Sequence, residues 1–546
     1  MTTSDNTAER RLDALIVGAG FAGLYMLHKL REAGFKAEII ETAPDVGGAW
    51  YWNRYPGARC DVESLAYSYS FSPELDSEWN WSERYAAQPE IRRYISFAAD
   101  RLDLRRDIHF EMRATAANFD KLTNLWHVDT DPGTRFAARF CIMATGPITC
   151  PTLPDIPGMG TFAGDIFHTA RWPEDHPGFA GQRVGVIGTG SSGVQLIPKV
   201  AEQAERLFVF LRTANFTVPA RNGPLPDTDL ARWAEERTSI RSVMWQGAVS
   251  GAGDLFMDLG LRMTRMTPAA SFTLEQRRDI LDRRWDWGGA VLQGSFKDVM
   301  TNRAVNDEVA EFIRSKIGEI VRDPAKAELL KPKGFALGTK RLCVGTDYYE
   351  TYNRENVEIV DVKLTPIQRV TPSGVVVAGE EIPLDALLLA TGFDALTGAF
   401  TQIDIRGADG QALNDLWRDG PHTYLGLAIA GFPNFFMIGG PGSPSVFSNV
   451  VLTNEFQVET IAGLIGWMDR NGCVRADANC EAQSDWTDHV NEVVKYSLLS
   501  TADSWYVGAN IPGKARAILA YCGGIASYRN RCEAVIRAEY AGFDFA

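Results

Sequence analysis

Two glycine-rich segments carry the residues best suited to binding nucleotides. GAGFAG at residues 18–23 and GTGSSG at 188–193 each follow a short apolar run and precede a helix-like stretch. Glycines at this spacing permit a tight turn and let the backbone approach a pyrophosphate, which the positive end of the next helix attracts. The predicted cofactor-binding residues are Gly18, Gly20 and Gly23 in the first turn and Gly188, Thr189, Gly190, Ser191, Ser192 and Gly193 in the second.

The strand that follows each turn ends in a different kind of side chain. KAEIIE ends in Glu41, whose carboxylate can accept hydrogen bonds from both hydroxyls of an adenosine ribose. LFVFLRT ends in Arg212 and Thr213, a guanidinium and a hydroxyl that can bind a ribose 2′-phosphate. We therefore predict FAD at the first turn and NADPH at the second. The alternative for Arg212 is a solvated charge at a strand end.

Further apolar strands indicate how the two turns are arranged along the chain. FCIMATG at 140–146 and LDALLLATG at 384–392 each predict a buried strand that ends in a small-residue turn. We predict an α/β fold with two Rossmann-like dinucleotide-binding domains, interleaved, and a helical insertion. The predicted ranges are 1–150 and 390–546 for the FAD-binding domain, 151–224 and 336–389 for the NADPH-binding domain, and 225–335 for the helical subdomain.

Composition excludes several other functions. The 546 residues are 45% hydrophobic and 23% charged, as is usual for a globular protein of more than one domain. A formal charge of −14 without any Lys/Arg-rich run argues against nucleic acid as a partner. Seven histidines and eight cysteines show no metal-binding spacing, and no run is apolar enough to span a membrane. With no signal-peptide pattern, we expect a cytoplasmic protein with reduced thiols and no metal.

A flavoprotein with two dinucleotide sites could be a disulfide reductase, an electron transferase or a monooxygenase. A disulfide reductase needs a redox pair of cysteines such as CxxC or CxxxxC, and neither spacing occurs. Two other segments bear on the choice between the remaining classes, FAGDIFHTARWP at 162–173 and GGAWYWNRYPGARCD at 47–61.

These segments resemble the type I Baeyer–Villiger monooxygenases, and in particular the phenylacetone and steroid monooxygenase branch. The first fits the fingerprint FxGxxxHxxxWP and the second fits GGxWxxxxYPGxxxD. The resemblance extends over nearly the whole chain, through GTKRL at 338–342, DYYETYNRENVEIVD at 347–361, GPGSPSVFSN at 440–449 and SWYVGANIPGK at 504–514. Within the fingerprint, we expect His168 to form hydrogen bonds at a hinge between the domains rather than to take part in catalysis.

The resemblance implies that NADPH and O2 convert a ketone to an ester or lactone through a C4a-peroxyflavin. Arg341 in GTKRL matches the essential arginine of the family, and Asp61 matches the carboxylate that positions it. Lys340 matches a lysine that joins Arg212 and Thr213 at the 2′-phosphate. Trp505 matches an indole that contacts the nicotinamide nucleotide. Gly48, Trp50 and Tyr51 are expected to line the flavin, although core packing is almost as good an explanation for Tyr51.

Several alternatives stay open at this point. A flavin-dependent N- or S-oxygenase is the nearest alternative, and a non-catalytic NADPH-binding flavoprotein is a second. Aryl, cyclic and steroid ketones are all candidate substrates, and the oligomeric state is open. The resemblance places GPGSPSVFSN at the border of the ketone pocket. The apolar stretch at 245–263 is predicted either to narrow or open that pocket or to be a packed helix or contact surface.

Overall fold

The computed structural model describes residues 9–546, which form two large sheets and a helical region between them. The strands are β1 Arg10–Val17, β2 Ala37–Ile40, β3 Ile108–His109, β4 Ala114–Asp120, β5 Leu125–Thr130, β6 Arg135–Met143, β7 Asp165–His168, β8 Arg183–Ile187, β9 Arg206–Leu211, β10 Thr217–Pro219, β11 Cys343–Gly345, β12 Val357–Asp361, β13 Ile367–Thr371, β14 Gly374–Val377, β15 Glu380–Pro383, β16 Ala386–Leu389, β17 Asp404–Arg406, β18 Phe435–Met437, β19 Ala476–Ala478 and β20 Phe543–Phe545.

The longest run of helices without an intervening strand lies between residues 227 and 330, where five follow one another. The helices are α1 Phe21–Glu32, α2 Ala49–Trp52, α3 Pro73–Glu78, α4 Gln88–Arg101, α5 Ser191–Ala201, α6 Asp227–Trp245, α7 Leu259–Met263, α8 Leu274–Trp287, α9 Arg303–Ile320, α10 Pro324–Leu330, α11 Tyr348–Thr351, α12 Gly398–Thr401, α13 Leu413–Leu416, α14 Val450–Arg470, α15 Cys480–Lys495 and α16 Ile525–Arg537.

The first large sheet has the order β17-β4-β5-β6-β1-β2-β3, and β18 also pairs with β6. Its centre is parallel, because β1 runs alongside both β2 and β6. Leu15 and Ile16 in β1 point to opposite faces and are both fully buried. A parallel strand covered on both faces requires such a continuous apolar run. Strands from both ends of the chain build this sheet, since β17 and β18 come after residue 400.

The second large sheet is entirely parallel, with the order β12-β9-β8-β16-β7. It contains the second glycine turn, which follows β8. A three-stranded antiparallel sheet, β13-β14-β15, is inserted between β12 and β16. The predicted fold class, two Rossmann-type nucleotide-binding folds with a helical insertion, is confirmed. The domain ranges stay a prediction.

The helical insertion packs through amphipathic faces. In α9 the buried residues recur at helical spacing, and they are Val305, Asn306, Val309, Ala310, Phe312, Ile313 and Ile317. Asn302 begins this helix by accepting hydrogen bonds from the N–H groups of Ala304 and Val305. The insertion thereby forms its own apolar face, which joins the core of the second sheet.

The described part of the chain has neither a membrane-spanning helix nor a group of metal-binding side chains. From residue 9 onward, no helix has both the length and the apolarity needed to cross a bilayer. Over the same residues, no three His, Cys, Asp or Glu side chains are grouped so that they could hold a metal ion. All eight cysteines are free thiols, of which Cys480 is exposed.

Candidate active site

The first glycine turn forms a cradle that only glycine can build. Gly18 follows β1 with a φ of +110°, and a Cβ there would lie 2.6 Å from the Ala144 carbonyl oxygen. A Cβ on Gly23 would overlap the Gly18 carbonyl oxygen. Gly20 begins α1, and a Cβ on Gly48 would lie 3.0 Å from the Gly20 Cα. The turn therefore leaves backbone exposed at the N-terminus of α1, as a bound pyrophosphate requires.

Glu41 lies under this turn, directly after β2. Its Oε2 accepts a hydrogen bond from the Ala19 N–H at 2.7 Å, and its Oε1 accepts one from the Ala43 N–H at 2.8 Å. Burial raises the pKa of Glu41, and these N–H groups oppose that effect. Each carboxylate oxygen keeps a second lone pair, so both can still accept from ribose hydroxyls. The position and bonding of Glu41 fit the adenosine half of FAD.

The second turn repeats the backbone geometry of the first. Gly188 has a φ of +111°, and a Cβ there would overlap the Ala390 carbonyl oxygen. A Cβ on Gly193 would overlap the Gly188 carbonyl oxygen. Thr189 joins the turn to the end of β9, because its hydroxyl donates to the Thr213 carbonyl oxygen at 2.9 Å.

The remaining residues of the second turn are Gly190, Ser191 and Ser192. A Cβ on Gly190 would meet nothing within 4 Å. Ser191 begins α5, and its Oγ lies 3.6 Å from the Cys343 sulfur. Ser192 follows in the first turn of α5 and is half-buried.

Two cations lie together beyond the end of β9. Arg212 and Thr213 are exposed. Burial and the nearby charge of Arg212 lower the pKa of Lys340, whose Nζ lies 5.2 Å from the centre of the Phe335 ring. Within residues 9–546, neither Arg212 nor Lys340 forms an ion pair with a carboxylate. Asp503 is near enough to oppose the lowered pKa of Lys340, but no carboxylate of the described chain pairs with either cation, so the two charges are suited to a phosphate dianion.

Arg341 and Asp61 form a bidentate ion pair between the two halves of the molecule. Nε and Nη2 of Arg341 donate to the two carboxylate oxygens of Asp61, both at 2.8 Å. Nη1 donates to the Val446 carbonyl oxygen at 3.2 Å. Burial opposes ionisation of Asp61, but the Arg341 charge and its hydrogen bonds outweigh it and lower the pKa of that carboxyl. The Asp61 charge raises the pKa of Arg341, so the guanidinium is cationic at any working pH.

Aromatic side chains surround this pair. The Trp505 ring centre lies 4.3 Å from that of Tyr506, which lies 4.5 Å from Phe447. Burial raises the pKa of Tyr506 to about 12, although the charge of Arg341 beside it opposes the shift. Sequence reasoning did not single out Tyr506, Phe447 or the Val446 carbonyl, although the last two lie in GPGSPSVFSN, the segment expected at the ketone pocket. Tyr506 adjoins Trp505 in SWYVGAN, and this was the available signal.

The two aromatic residues expected at the flavin point in different directions. Trp50 Nε1 donates to the Tyr67 hydroxyl at 3.1 Å, and Tyr67 lies close enough to Asp61 and Arg341 for their charges to affect its pKa. Two guanidinium groups instead lie over the Tyr51 ring, with their carbon atoms 4.4 Å (Arg54) and 4.8 Å (Arg92) from the ring centre. Successive helix residues project about 100° apart, which explains the divergence within α2.

His168 connects the fingerprint segment to the end of β16. Its Nδ1 accepts from the Ala170 N–H at 3.0 Å, so in the neutral ring Nε2 carries the proton and donates to the Thr391 hydroxyl at 3.2 Å. Burial lowers the pKa of His168 to about 4. A neutral histidine with a hydrogen bond at each ring nitrogen, connecting the end of β7 to the turn after β16, is suited to a hinge.

The chain is similar to known oxygenases over its full length. A family model described as pyridine nucleotide-disulphide oxidoreductase matches residues 15–239. A Baeyer–Villiger monooxygenase of Pseudooceanicola batsensis is 40% identical, covering 99% of this chain and 97% of its own length. A phenazine N-monooxygenase of Lysobacter antibioticus is also 40% identical, covering 100% and 98%.

Solved structures give the same similarity in three dimensions. A steroid monooxygenase bound to NADP is 46% identical with a TM-score of 0.91, over 98% of this chain and 99% of that one. OTEMO in complex with FAD and NADP is 39% identical with a TM-score of 0.93, over 99% and 100%.

Proposed function

Because the chain belongs to the Baeyer–Villiger monooxygenase family, we propose that it oxidises ketones to esters or lactones with NADPH and O2, with FAD as its bound cofactor. The observation that carries this function is the bidentate pair of Arg341 and Asp61. It holds a permanent positive charge beside Tyr506, whose ring packs against that of Trp505.

The residues around the first turn fit FAD. The cradle of Gly18, Gly20 and Gly23 would hold the pyrophosphate, Glu41 the ribose and the Gly48–Trp50 segment the flavin. When bound, FAD supplies hydride acceptance from NADPH and activation of O2. The chain itself must bind both nucleotides, exclude water and stabilise charge on the ketone oxygen.

We assign that last task to Arg341. A guanidinium has five N–H groups, and three of those on Arg341 are taken by Asp61 and Val446. The Tyr506 hydroxyl lies close enough to be a further hydrogen-bond partner of the guanidinium, and about one third of the Arg341 side chain is exposed. A fixed donor with full charge stabilises a developing oxyanion without reorganisation. Asp61 would set its direction.

The second turn supports selectivity for NADPH. Arg212, Thr213 and Lys340 would surround the 2′-phosphate, while Gly188 to Gly193 would receive the pyrophosphate. We further assign residues 1–150 and 390–546 to FAD binding, 151–224 and 336–389 to NADPH binding, and 225–335 to the inserted helical subdomain. His168 would act at the boundary between the first two.

The test is product formation. Purified protein with FAD, NADPH and air is expected to convert at least one of a set of aryl, cyclic and steroid ketones of graded size to an ester, with one oxygen atom from ¹⁸O2. Consumption of NADPH that yields only hydrogen peroxide with every ketone would contradict the function.

Heteroatom oxygenation is the second candidate. It is favoured by the 40% identity to the phenazine N-monooxygenase over the whole chain. The same assay with phenazines and tertiary amines decides between the two, because an N-oxide without any ester would favour the second candidate.

A further inference from the structure

The segment from Asp61 to Ala66 contacts three separate parts of the chain. Asp61 holds Arg341. The Ala66 carbonyl oxygen accepts a hydrogen bond at 2.6 Å from Nδ2 of Asn449, the residue that caps α14. Between these two contacts, Glu63 bonds to the helical insertion. A displacement of this short segment would therefore also move Arg341, because Asp61 holds it.

Glu63 is a buried carboxylate, 4% exposed, with a partner on each oxygen. Its Oε1 accepts from Arg84 Nε at 2.9 Å, and its Oε2 accepts from the Leu255 N–H at 2.9 Å. Its own N–H donates to the Gly251 carbonyl oxygen at 2.5 Å. Glu63 thus forms hydrogen bonds with two residues of one loop, Gly251 and Leu255. This loop, residues 249–257, lies within the stretch 245–263 whose role the sequence left open.

Arg84 connects Glu63 to a second point of the insertion. Its Nη2 donates to the Gly253 carbonyl oxygen and its Nη1 to the Trp287 carbonyl oxygen, both at 2.8 Å. The Trp287 indole donates to Gly253 as well. The guanidinium therefore joins loop 249–257 to the end of α8.

The loop is itself rigid and packs closely on the segment. Asp254 accepts from the Gly251 N–H at 2.8 Å and pairs with Arg265 at 2.6 Å. Gly251 has a φ of +73°, and a Cβ there would lie 2.6 Å from the Ala66 Cβ. A well-braced loop in such close contact transmits its position to the segment beneath it.

We propose that Glu63 is a positioning residue for Arg341, because it fixes loop 249–257 of the insertion against the segment that carries Asp61. The inference rests on the proposed role of Arg341 in ester formation. Displacement of reacting groups by about 1 Å can reduce a rate by about a hundredfold. Loss of the Glu63 contacts is thus expected to lower ester formation without touching either nucleotide site.

The test uses the FAD-loaded Glu63→Gln variant, whose side chain has the same shape but cannot satisfy both Arg84 and Leu255. We expect ester formed per NADPH consumed to fall by about tenfold or more, while the affinities for FAD and NADPH stay as in the wild type. Hydrogen–deuterium exchange, a readout independent of activity, is expected to rise at residues 61–66 and 249–257.

Glu455→Gln is the matched control. Glu455 is also 4% exposed, and burial raises the pKa of both carboxyls to about 7. It accepts hydrogen bonds from Ser70 and Phe71 and has no contact with the Asp61 segment. Its variant is expected to lose stability to a similar extent, with increased exchange near 70–71 and unchanged ester yield per NADPH.

Equal ester yields from the two variants, or a loss in Glu63→Gln without increased exchange at 249–257, would overturn the positioning role. If Glu63→Gln does not fold, Glu63→Asp decides, since it keeps the charge but shortens the reach to Leu255. It is then expected to lower the ester yield by a smaller factor. Failure of the wild type to form ester would instead count against the proposed function itself.

Discussion

The two glycine turns have nearly the same backbone but different surroundings. Their first glycines have φ angles of +110° and +111°, and in both turns a Cβ on the third glycine would overlap the carbonyl of the first. They differ in the residue that follows the second strand. Glu41 is buried and bonded to two N–H groups, whereas Arg212 is exposed and has no carboxylate partner in the described chain. The backbone is thus suited to a dinucleotide in both turns, and we propose that the strand end determines which dinucleotide each accepts.

The turns are also closed in different ways. In the first, the Glu41 side chain reaches back to the Ala19 N–H. In the second, the Thr189 side chain reaches forward to the Thr213 carbonyl. Glu41 at the first strand end therefore supports the turn, and we propose that it also binds the ribose. At the second strand end, Arg212 forms no ion pair within residues 9–546, and we propose that it binds the phosphate.

The largest effect is expected from filling the first cradle. In Gly23→Ala the new Cβ would overlap the Gly18 carbonyl, so the backbone must shift away from the pyrophosphate. We expect colourless or poorly folded protein by absorbance at 450 nm. Gly193→Ala, the equivalent change in the second turn, is expected to stay yellow and lose NADPH binding. Gly160→Ala, where a Cβ meets nothing within 4 Å, controls for the substitution. Equal FAD content in the first two variants would break the comparison.

The next effect concerns Arg341, which pairs with Asp61. Arg341→Ala is expected to keep FAD and to consume NADPH, but to lose ester formation by about a hundred- to a thousandfold, as when a preorganised donor is removed. Hydrogen peroxide should accumulate in its place, and Asp61→Ala should show a weaker form of the same defect. Both products are measured per NADPH consumed.

Arg241→Ala provides the matched control for this change. Arg241 forms a similar bidentate pair with Asp76, at 2.9 and 3.0 Å, and neither residue belongs to the proposed site. Normal ester yield in Arg341→Ala would mean that its pair with Asp61 is only structural.

The sequence predicted the positions of the turns better than the pairing of Arg341 with Asp61. Local spacing was enough to place Gly18 in a turn and Glu41 and Arg212 at strand ends, because a strand, a turn and the next strand are close along the chain. Arg341 and Asp61 are 280 residues apart, so only resemblance to a family could join them.

Some contacts could not be predicted at all. Glu63 and Arg84 are ordinary charged residues in a polar stretch, and their partners in the insertion are backbone groups that carry no sequence signal. Tyr51 and Trp50 diverge because α2 is helical, and four residues are too few to show helical periodicity.

A smaller effect tests the difference at the strand ends. Arg212→Ala is expected to weaken NADPH binding by about tenfold to a hundredfold, because a hydrogen bond to a charged group contributes about 1.5–3 kcal/mol. NADH binding should barely change. Arg206→Ala, at the other end of β9, removes another exposed arginine, which pairs with Glu358 at 3.0 Å. Similar losses in both variants would indicate a general charge effect rather than a phosphate contact.

The smallest effect tests how the second turn is closed. Thr189→Val keeps the branched shape but removes the hydroxyl that donates to the Thr213 carbonyl at 2.9 Å. A buried hydrogen bond of this kind contributes about 0.5–1.5 kcal/mol, so NADPH affinity should fall by about two- to tenfold. FAD content should not change, because Glu41 closes the first turn independently. Titration of NADPH into the FAD-loaded protein measures the effect. A loss as large as that of Arg212→Ala would show that Thr189 contacts the nucleotide directly, and the forward bond to Thr213 would then not be its main role.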